Sequence, residues 1–395
     1  MNNLFAQRLT KLTDPTVQNA LRLASKKGII SFGGGLPNPD LFPLREIELS
    51  LLKILRLNGK ATLQYSQTAG LPELRELIAR NLSVKWKKKV DPEEVLITSG
   101  SQQGLDLLGK AFLDKNNYVL VENPTYFVAL NAFNGYEAKY KTISLNPDGL
   151  NVKQLTKILN HSAKRVKFLY VIPTFQNPSG ITWSKKVRVE VIKLIKKHRL
   201  LLIEDDPYSE LYFDRRSPLN LAGYQHEGLI IYLGTFSKTL CPGLRVGYIV
   251  ASKDIIAKLS LIKQGMDLHT STLSQALVVE ILKQNQTYKA HLNKIRNYYR
   301  EQSQYMLLCL NKYLKQKAMW NIPAGGIFIW LKIKKGGCRE LYKKAVDSGI
   351  AFMPGYTFYA NMPKENTLRL TFATISKKEI LKGIKILSKI LPPEN

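Results

Sequence analysis

The sequence predicts an α/β fold, a doubly wound and mainly parallel sheet joined to a smaller α+β lobe. Three observations support this. From about Pro92 to Ser252, short apolar runs alternate with amphipathic helical segments, the pattern of strands covered by helices on both faces. Turn clusters at Asn116-Asn117, Asn146-Pro147-Asp148-Gly149 and Asn177-Pro178-Ser179-Gly180 separate the units. Beyond roughly Thr287 the texture changes to a long polar helix, an apolar strand, a short helix, a second strand and a closing helix.

In chain order, the stretch before Phe42 has few packing residues and many breakers, so it is expected to lie over the C-terminal lobe or a partner subunit. The runs Val95 to Thr98, Tyr118 to Glu122, Val166 to Pro173, Leu200 to Glu204 and Leu229 to Gly234 are apolar throughout or nearly so. Strands buried on both faces look like this. Gly326 to Lys332 and Thr367 to Phe372 are the expected strands of the second lobe. The chain therefore divides into an N-terminal segment 1–42, a large domain 43–286 and a small domain 287–395.

At 395 residues and 45% hydrophobic, the chain can build a large core. It has no charged start leading into an apolar run and no apolar stretch of about 20 residues, so a membrane span is not expected and a cytoplasmic location is. Cys241, Cys309 and Cys338 are odd in number and far apart, which argues against a disulfide framework and against a metal site. The net charge of +29, from 59 Lys and Arg against 30 Asp and Glu, invites a nucleic-acid partner. Its spread argues against one. Basic residues run along the whole chain, and those in Lys185 to Arg199 are spaced like the solvated face of a helix over Val187, Val191, Ile192 and Ile195.

The chemistry gathers at strand ends, where open α/β sheets bind ligands. Lys238 follows the run Leu229 to Leu233 within Gly234-Thr235-Phe236-Ser237-Lys238-Thr239, and Pro242-Gly243-Leu244-Arg245 comes next. A lysine enclosed beside hydroxyls and an arginine has its ammonium form disfavoured and can attack a carbonyl carbon. Thr98-Ser99-Gly100-Ser101-Gln102-Gln103-Gly104 joins a strand to a helix and is either a phosphate-binding N-terminus or a plain cap. Glu204-Asp205-Asp206 ends an apolar strand. An acid there either meets a buried donor such as a pyridinium nitrogen, caps the next helix, or pairs with a surface lysine. Asn177 before Pro178 is held extended with its amide free to point into a site, or forms an ordinary turn. Arg369 alternates with Leu368 and Leu370 and faces either inward, as a fork for a carboxylate, or outward to solvent. Together, a carbonyl-capturing amine, a phosphate cup, a ring-nitrogen acid, a ring-oxygen donor and a carboxylate fork describe a pyridoxal 5'-phosphate site.

With Ser31-Phe32-Gly33-Gly34-Gly35-Leu36-Pro37-Asn38-Pro39 and Leu63-Gln64-Tyr65-Ser66 through Gly70-Leu71-Pro72-Glu73-Leu74-Arg75 added, nearly the whole chain resembles a fold-type I, class I/II aminotransferase. The resemblance is to the group of 2-aminoadipate and kynurenine aminotransferases, and it implies an aspartate aminotransferase-like fold. It implies that Lys238 binds the cofactor aldehyde, Asp205 pairs with the pyridine nitrogen, Asn177 and Tyr208 meet the ring oxygen, and Tyr126 stacks on the ring. Ser101, Gln102, Ser237 and Arg245 would hold the phosphate, with Thr235 where relatives usually have serine. Tyr65 would reach the phosphate of a neighbouring subunit, making a homodimer part of the site. Arg369, Asn177 and Gly35 would bind the substrate α-carboxylate. Relatives that favour acidic side chains carry an arginine where this chain has Gln18, and Arg22 lies one helical turn further on. The implied reaction moves an amino group from an L-amino acid to a 2-oxo acid such as 2-oxoglutarate; the donors in view are 2-aminoadipate, aromatic and broad aliphatic amino acids. Two alternatives share these residues: another pyridoxal phosphate reaction (lyase or racemase), and an aminotransferase-like DNA-binding regulator. The regulator would carry a winged-helix domain ahead of a pattern that here begins almost at Met1.

Overall fold

The computed structural model describes residues 28–162, 166–214 and 218–393, together with residues 4, 6 and 8. In chain order the strands are β1 (Ile30–Ser31), β2 (Val95–Thr98), β3 (Tyr118–Asn123), β4 (Lys139–Asn146), β5 (Gly149–Leu150), β6 (Val166–Val171) and β7 (Leu201–Asp206). There follow β8 (Ile230–Thr235), β9 (Gly247–Val250), β10 (Ala318–Trp320), β11 (Phe328–Ile333), β12 (Ile350–Ala351), β13 (Met353–Pro354) and β14 (Thr367–Thr371).

Eight strands form one sheet in the order β2-β9-β8-β7-β6-β3-β4-β5. The run from β8 to β4 is parallel; β9 lies antiparallel between β2 and β8, and β5 folds back on β4 through the expected Asn146 to Gly149 turn. Alternation along the strands sends side chains into two apolar layers. Ile97, Leu120, Leu169, Leu202 and Tyr232 meet helices Pro72–Trp86, Val152–Ser162, Lys185–His198 and Thr272–Lys283 on one face. Leu96, Val121, Phe168, Ile203 and Leu233 meet helices Ser101–Phe112, Phe127–Asn134 and Lys253–Asp267 on the other. The sheet is therefore doubly wound, as the alternating pattern implies.

A second, antiparallel sheet has the order β10-β11-β14-β13 and shares its core with helices Asn285–Leu314, Cys338–Asp347 and Lys377–Ile390. The N-terminal segment is tied to this region. Ile30 and Ser31 pair with Ile350 and Ala351, Phe32 N–H donates to Ala351 O, and Thr371 N–H donates to Phe32 O.

Two features depart from the sequence-based expectation. Strand β7 runs two residues further than the apolar run, through Asp205 and Asp206, because each acid finds a partner inside the fold. The second is Arg188, which the basic spacing of Lys185 to Arg199 assigned to solvent. It is fully buried. Its guanidinium donates to the carbonyls of Trp183, Leu219 and Pro173 and to Thr174 Oγ1, and it lies 3.8 Å from buried Glu204. A guanidinium with that many fixed acceptors retains in the core the hydrogen bonds it would make to water, and it organises the loop 172–184. Arg188→Leu removes a donor from those carbonyls and the cation facing buried Glu204, and should cost about 3–5 kcal/mol in urea unfolding.

Candidate active site

At the carboxyl ends of β7 and β8, a cavity of about 290 Å³ opens between the large sheet and the Gly33–Gly35 segment. Its lining includes Gly35, Ser101, Gln102, Tyr126, Asn177, Asp205, Tyr208, Thr235, Ser237, Lys238, Arg245 and Arg369. Twelve of the fifteen site residues expected from the sequence thus meet in one place. Tyr65 is 78% exposed, lies outside this lining and packs edge-on against His269. Gln18 and Arg22 fall outside the described residues.

Strand alternation separates the three consecutive acids that end β7. Glu204 and Asp206 point to one face and are saturated. Glu204 accepts from Leu221 N–H, Ala222 N–H and Asn220, and Asp206 accepts from Ser209, Asn220 and the Tyr232 hydroxyl. Asp205 points to the opposite face. Its Oδ2 accepts from the Tyr170 hydroxyl at 2.7 Å, and its Oδ1 has no partner among the described residues although it is buried. Burial pushes its pKa up to about 7; the Tyr170 hydrogen bond opposes that shift and neighbouring Asp206 adds to it. Of the open readings, surface pairing describes Asp206, which has Lys85 Nζ at 3.9 Å; its bond from Ser209 N–H closes a turn, and among the described residues the next helical segment begins only at Leu221. Asp205 does neither.

Lys238 lies just beyond the end of β8. The residue is half-buried, and its Nζ donates to Gly35 O at 2.7 Å. Burial, then the charges of Arg369 and Arg245, lower its pKa to about 8, so an uncharged amine is accessible near neutrality.

Beside it is an anion cup. Helix Ser101–Phe112 begins at Gly100 with no side-chain cap and no acid in its first turn, leaving the N–H groups and positive dipole end of that turn to a ligand. Gly100 has φ +81°, and a Cβ there would lie 2.3 Å from an Arg245 nitrogen, so glycine is what lets the guanidinium approach. Arg245 also donates to Ser99 O, and Thr235 and Ser237 hydroxyls stand 3.1 Å apart at the rim.

Arg369 faces inward. It is 3% exposed, donates to Asn177 Oδ1 and Gly33 O, and its guanidinium carbon lies 4.0 Å from the centre of the Phe328 ring. Its Nε is buried without a partner, and among the described residues no carboxylate forms an ion pair with it. Burial accordingly lowers its pKa to about 10. A desolvated cation on an aromatic floor, facing the cavity, is suited to a ligand carboxylate. Asn177 joins the same network and hydrogen-bonds the Tyr208 hydroxyl.

Sequence reasoning missed three supporting residues: Tyr170, Arg188 and Glu122. Glu122 is buried at the end of β3 and accepts from Ile172 N–H, Gln176 and Trp183, beneath the two loops that carry Tyr126 and Asn177. An acid in an otherwise apolar strand was the one available signal. Tyr170 offered none, because a tyrosine in a buried strand looks like core.

The residues fit pyridoxal phosphate on their own geometry: Asp205 Oδ1 is free for a ring N–H, the uncapped helix end and Arg245 for a phosphate, and Lys238 for an aldehyde. Comparison with known proteins agrees. The family "Aminotransferase class I and II" matches residues 37–387. A 2-aminoadipate transaminase of Thermus thermophilus is 40% identical over 98% of this chain and 96% of its own length. The structure of an alpha-aminoadipate aminotransferase of the same species, complexed with N-(5'-phosphopyridoxyl)-L-leucine, superposes with a TM-score of 0.91 at 39% identity, covering 99% and 97% of the two chains. A Pyrococcus horikoshii kynurenine aminotransferase in complex with PMP superposes with a TM-score of 0.94 at 35% identity, covering 98% and 97%. The chain therefore belongs to the class I and II aminotransferases and is a pyridoxal-phosphate-dependent transaminase of aspartate aminotransferase-like fold.

Proposed function

We propose that this cavity carries out the transfer of an amino group from an L-amino acid to a 2-oxo acid such as 2-oxoglutarate, with each residue in a definite role. The observation that carries the reading is the arrangement around one cavity of Lys238, Asp205 with its Oδ1 unpartnered among the described residues, and Arg369, whose guanidinium has no carboxylate partner among them. When bound, pyridoxal phosphate supplies a carbonyl to capture the amine and a ring to accept the electron pair left by the α-proton. Lys238 would hold the group's carbonyl carbon through Nζ, and the same Nζ is placed to take the α-proton as base and return it as acid. Asp205 keeps a proton on the ring nitrogen, and Tyr208 and Asn177 donate to the ring oxygen. Tyr126 covers the ring face. Ser101, Gln102, Thr235, Ser237 and Arg245 hold the phosphate, while Arg369, Asn177 and Gly35 orient the α-carboxylate. Over the full reaction the donor amino acid becomes its 2-oxo acid and the acceptor 2-oxo acid becomes an amino acid, so the amino group and the electron pair are exchanged between the two substrates.

The functional unit is proposed to be a homodimer in which Tyr65 completes the partner's phosphate site. Leu44, Leu49, Leu52, Leu57, Leu63 and Tyr65 support this as a run of exposed apolar side chains on and after helix Leu44–Thr62. The proposed division is segment 1–42, large domain 43–286 and small domain 287–395, supported by the two separate sheets and by the long helix that begins at Asn285. No helix among the described residues is long and apolar enough to cross a membrane, and a cytoplasmic location is proposed. The proposed donors are 2-aminoadipate, aromatic and broad aliphatic amino acids, with Gln18 and Arg22 as the side-chain readers; a distal carboxylate is matched less well by the amide of Gln18 than by a guanidinium.

Lys238→Ala should abolish turnover and the absorbance of covalently held cofactor while circular dichroism stays unchanged; retained turnover would falsify the assignment. Below pH 8, the rate at which cofactor-free protein captures pyridoxal phosphate should rise about tenfold per pH unit and then level, whereas a lysine near its ordinary 10.5 would keep climbing. Arg369→Leu should lower kcat/KM by about 10²–10³ through lost carboxylate binding, measured by steady-state kinetics. A purified enzyme that uses aminoadipate, phenylalanine and leucine at equal rates would exclude acid-specific recognition.

A further inference from the structure

We propose that Tyr170 is a positioning residue for amino transfer: its hydroxyl fixes the Asp205 carboxylate through Oδ2 so that Oδ1 is held free toward the cofactor ring. The inference rests on the reading of Asp205 as the partner of the ring nitrogen.

Strand register dictates the contact. Tyr170 on β6 is paired with Ile203 on β7, and Asp205 lies two residues further along β7 on the same face. The phenol is long enough to span those two residues, and its hydroxyl meets Asp205 Oδ2 at 2.7 Å with both side chains buried. The ring cannot swing away, because Phe133 packs edge-on against it with centroids 5.7 Å apart. The opposite face repeats the device. Tyr232 on β8 is paired with Glu204, and its hydroxyl reaches two residues ahead to Asp206 Oδ2 at 2.8 Å. The two acids nevertheless differ in what else they meet. Asp206 has further donors in Ser209 and Asn220, whereas the Tyr170 hydroxyl is the one donor to Asp205 among the described residues.

A buried carboxylate with one donor keeps one oxygen occupied and one available. The phenol is also an obligate donor, since burial and then Asp205 hold its pKa well above 10. Without the hydroxyl, Oδ2 is buried and unsatisfied, the proton affinity of Asp205 rises, and a proton shared with a ring nitrogen moves toward the carboxylate. The other titratable groups that act on Asp205 electrostatically or share its surroundings are Asp206, next to it in β7 but on the opposite face, Glu122 on β3, Tyr126 at the start of its helix and Tyr208 in the loop after β7. None of them donates a hydrogen bond to Asp205 in this structure, so none replaces Tyr170.

The test is Tyr170→Phe in the holoenzyme, which removes one oxygen atom and keeps the ring contacts. The probe is pyridoxal phosphate labelled with 15N at the pyridine nitrogen. Wild type should show the pyridinium resonance at pH 7.5, and Tyr170→Phe should move it toward neutral pyridine. The acid limb of pyridoxal phosphate affinity should move up by about one pH unit, and kcat should fall about 10- to 100-fold with KM changed less than about threefold. Phe133→Leu disturbs the same packing without touching the hydroxyl and should leave the nitrogen resonance in place. An unmoved resonance in Tyr170→Phe, a loss of kcat without that movement, or an equal movement in Phe133→Leu overturns the proposal. Asp205→Asn separates it from its foundation: if that variant keeps the wild-type resonance, the reading of Asp205 itself fails, and if only Asp205→Asn moves it, the role of Tyr170 fails alone.

Discussion

Three consecutive carboxyls buried at the end of one strand are the constraint around which this structure is arranged. Desolvation opposes charge at Glu204 and Asp205, and the fold answers with strand alternation. Glu204 and Asp206 are sent to one face, where Arg188, Asn220, Ser209, Tyr232 and backbone N–H groups meet them. Asp205 is sent to the other with a single donor. The buried arginine that faces Glu204 also holds the carbonyls of the loop that carries Asn177. One electrostatic problem on one strand thus organises both the support of the site and its free carboxylate oxygen.

The N-terminal segment is drawn into the same arrangement by two cations. Arg369 donates to Gly33 O and Lys238 to Gly35 O, so the backbone of this segment is held by side chains from both sheet regions. Its pairing with β12 adds a second anchor. The segment therefore forms one wall of the cavity, although it contributes mainly glycine backbone there.

Most of the fold could be seen in the sequence because strands buried on both faces are written as unbroken apolar runs. The runs Val95 to Thr98, Val166 to Pro173, with Lys167 its one charge, and Leu229 to Gly234 correspond to strands Val95–Thr98, Val166–Val171 and Ile230–Thr235. The polar strand Lys139–Asn146 was not visible, since it lies next to the short edge strand β5, is half-buried or exposed apart from a single fully buried residue, Ile143, and so carries no apolar run. In the site, residues that touch the cavity stood out because charge or amide at a strand end is costly without a purpose. Residues that support them did not. Tyr170 looks like core, and Arg188 sits among lysines whose spacing is that of a wet helix face. Whether a polar side chain has a buried partner depends on residues distant in sequence, such as Thr174 and Leu219 for Arg188, and local pattern carries no trace of them.

The anion cup has a further consequence. A Cβ on Gly247 would come within 2.7 Å of Ser101 N, and one on Gly234 within 2.2 Å of the Tyr248 ring, so this end of the cavity is shaped by main chain packed against its neighbours. Leu36, Val128 and Met353 line the same cavity. Substitution can reshape a wall of side chains one methylene at a time, but it has little purchase on a wall of backbone. Evolution of such a protein is therefore channelled: the cavity can be reshaped by single-residue changes where side chains line it, and it resists them where tightly packed glycines do.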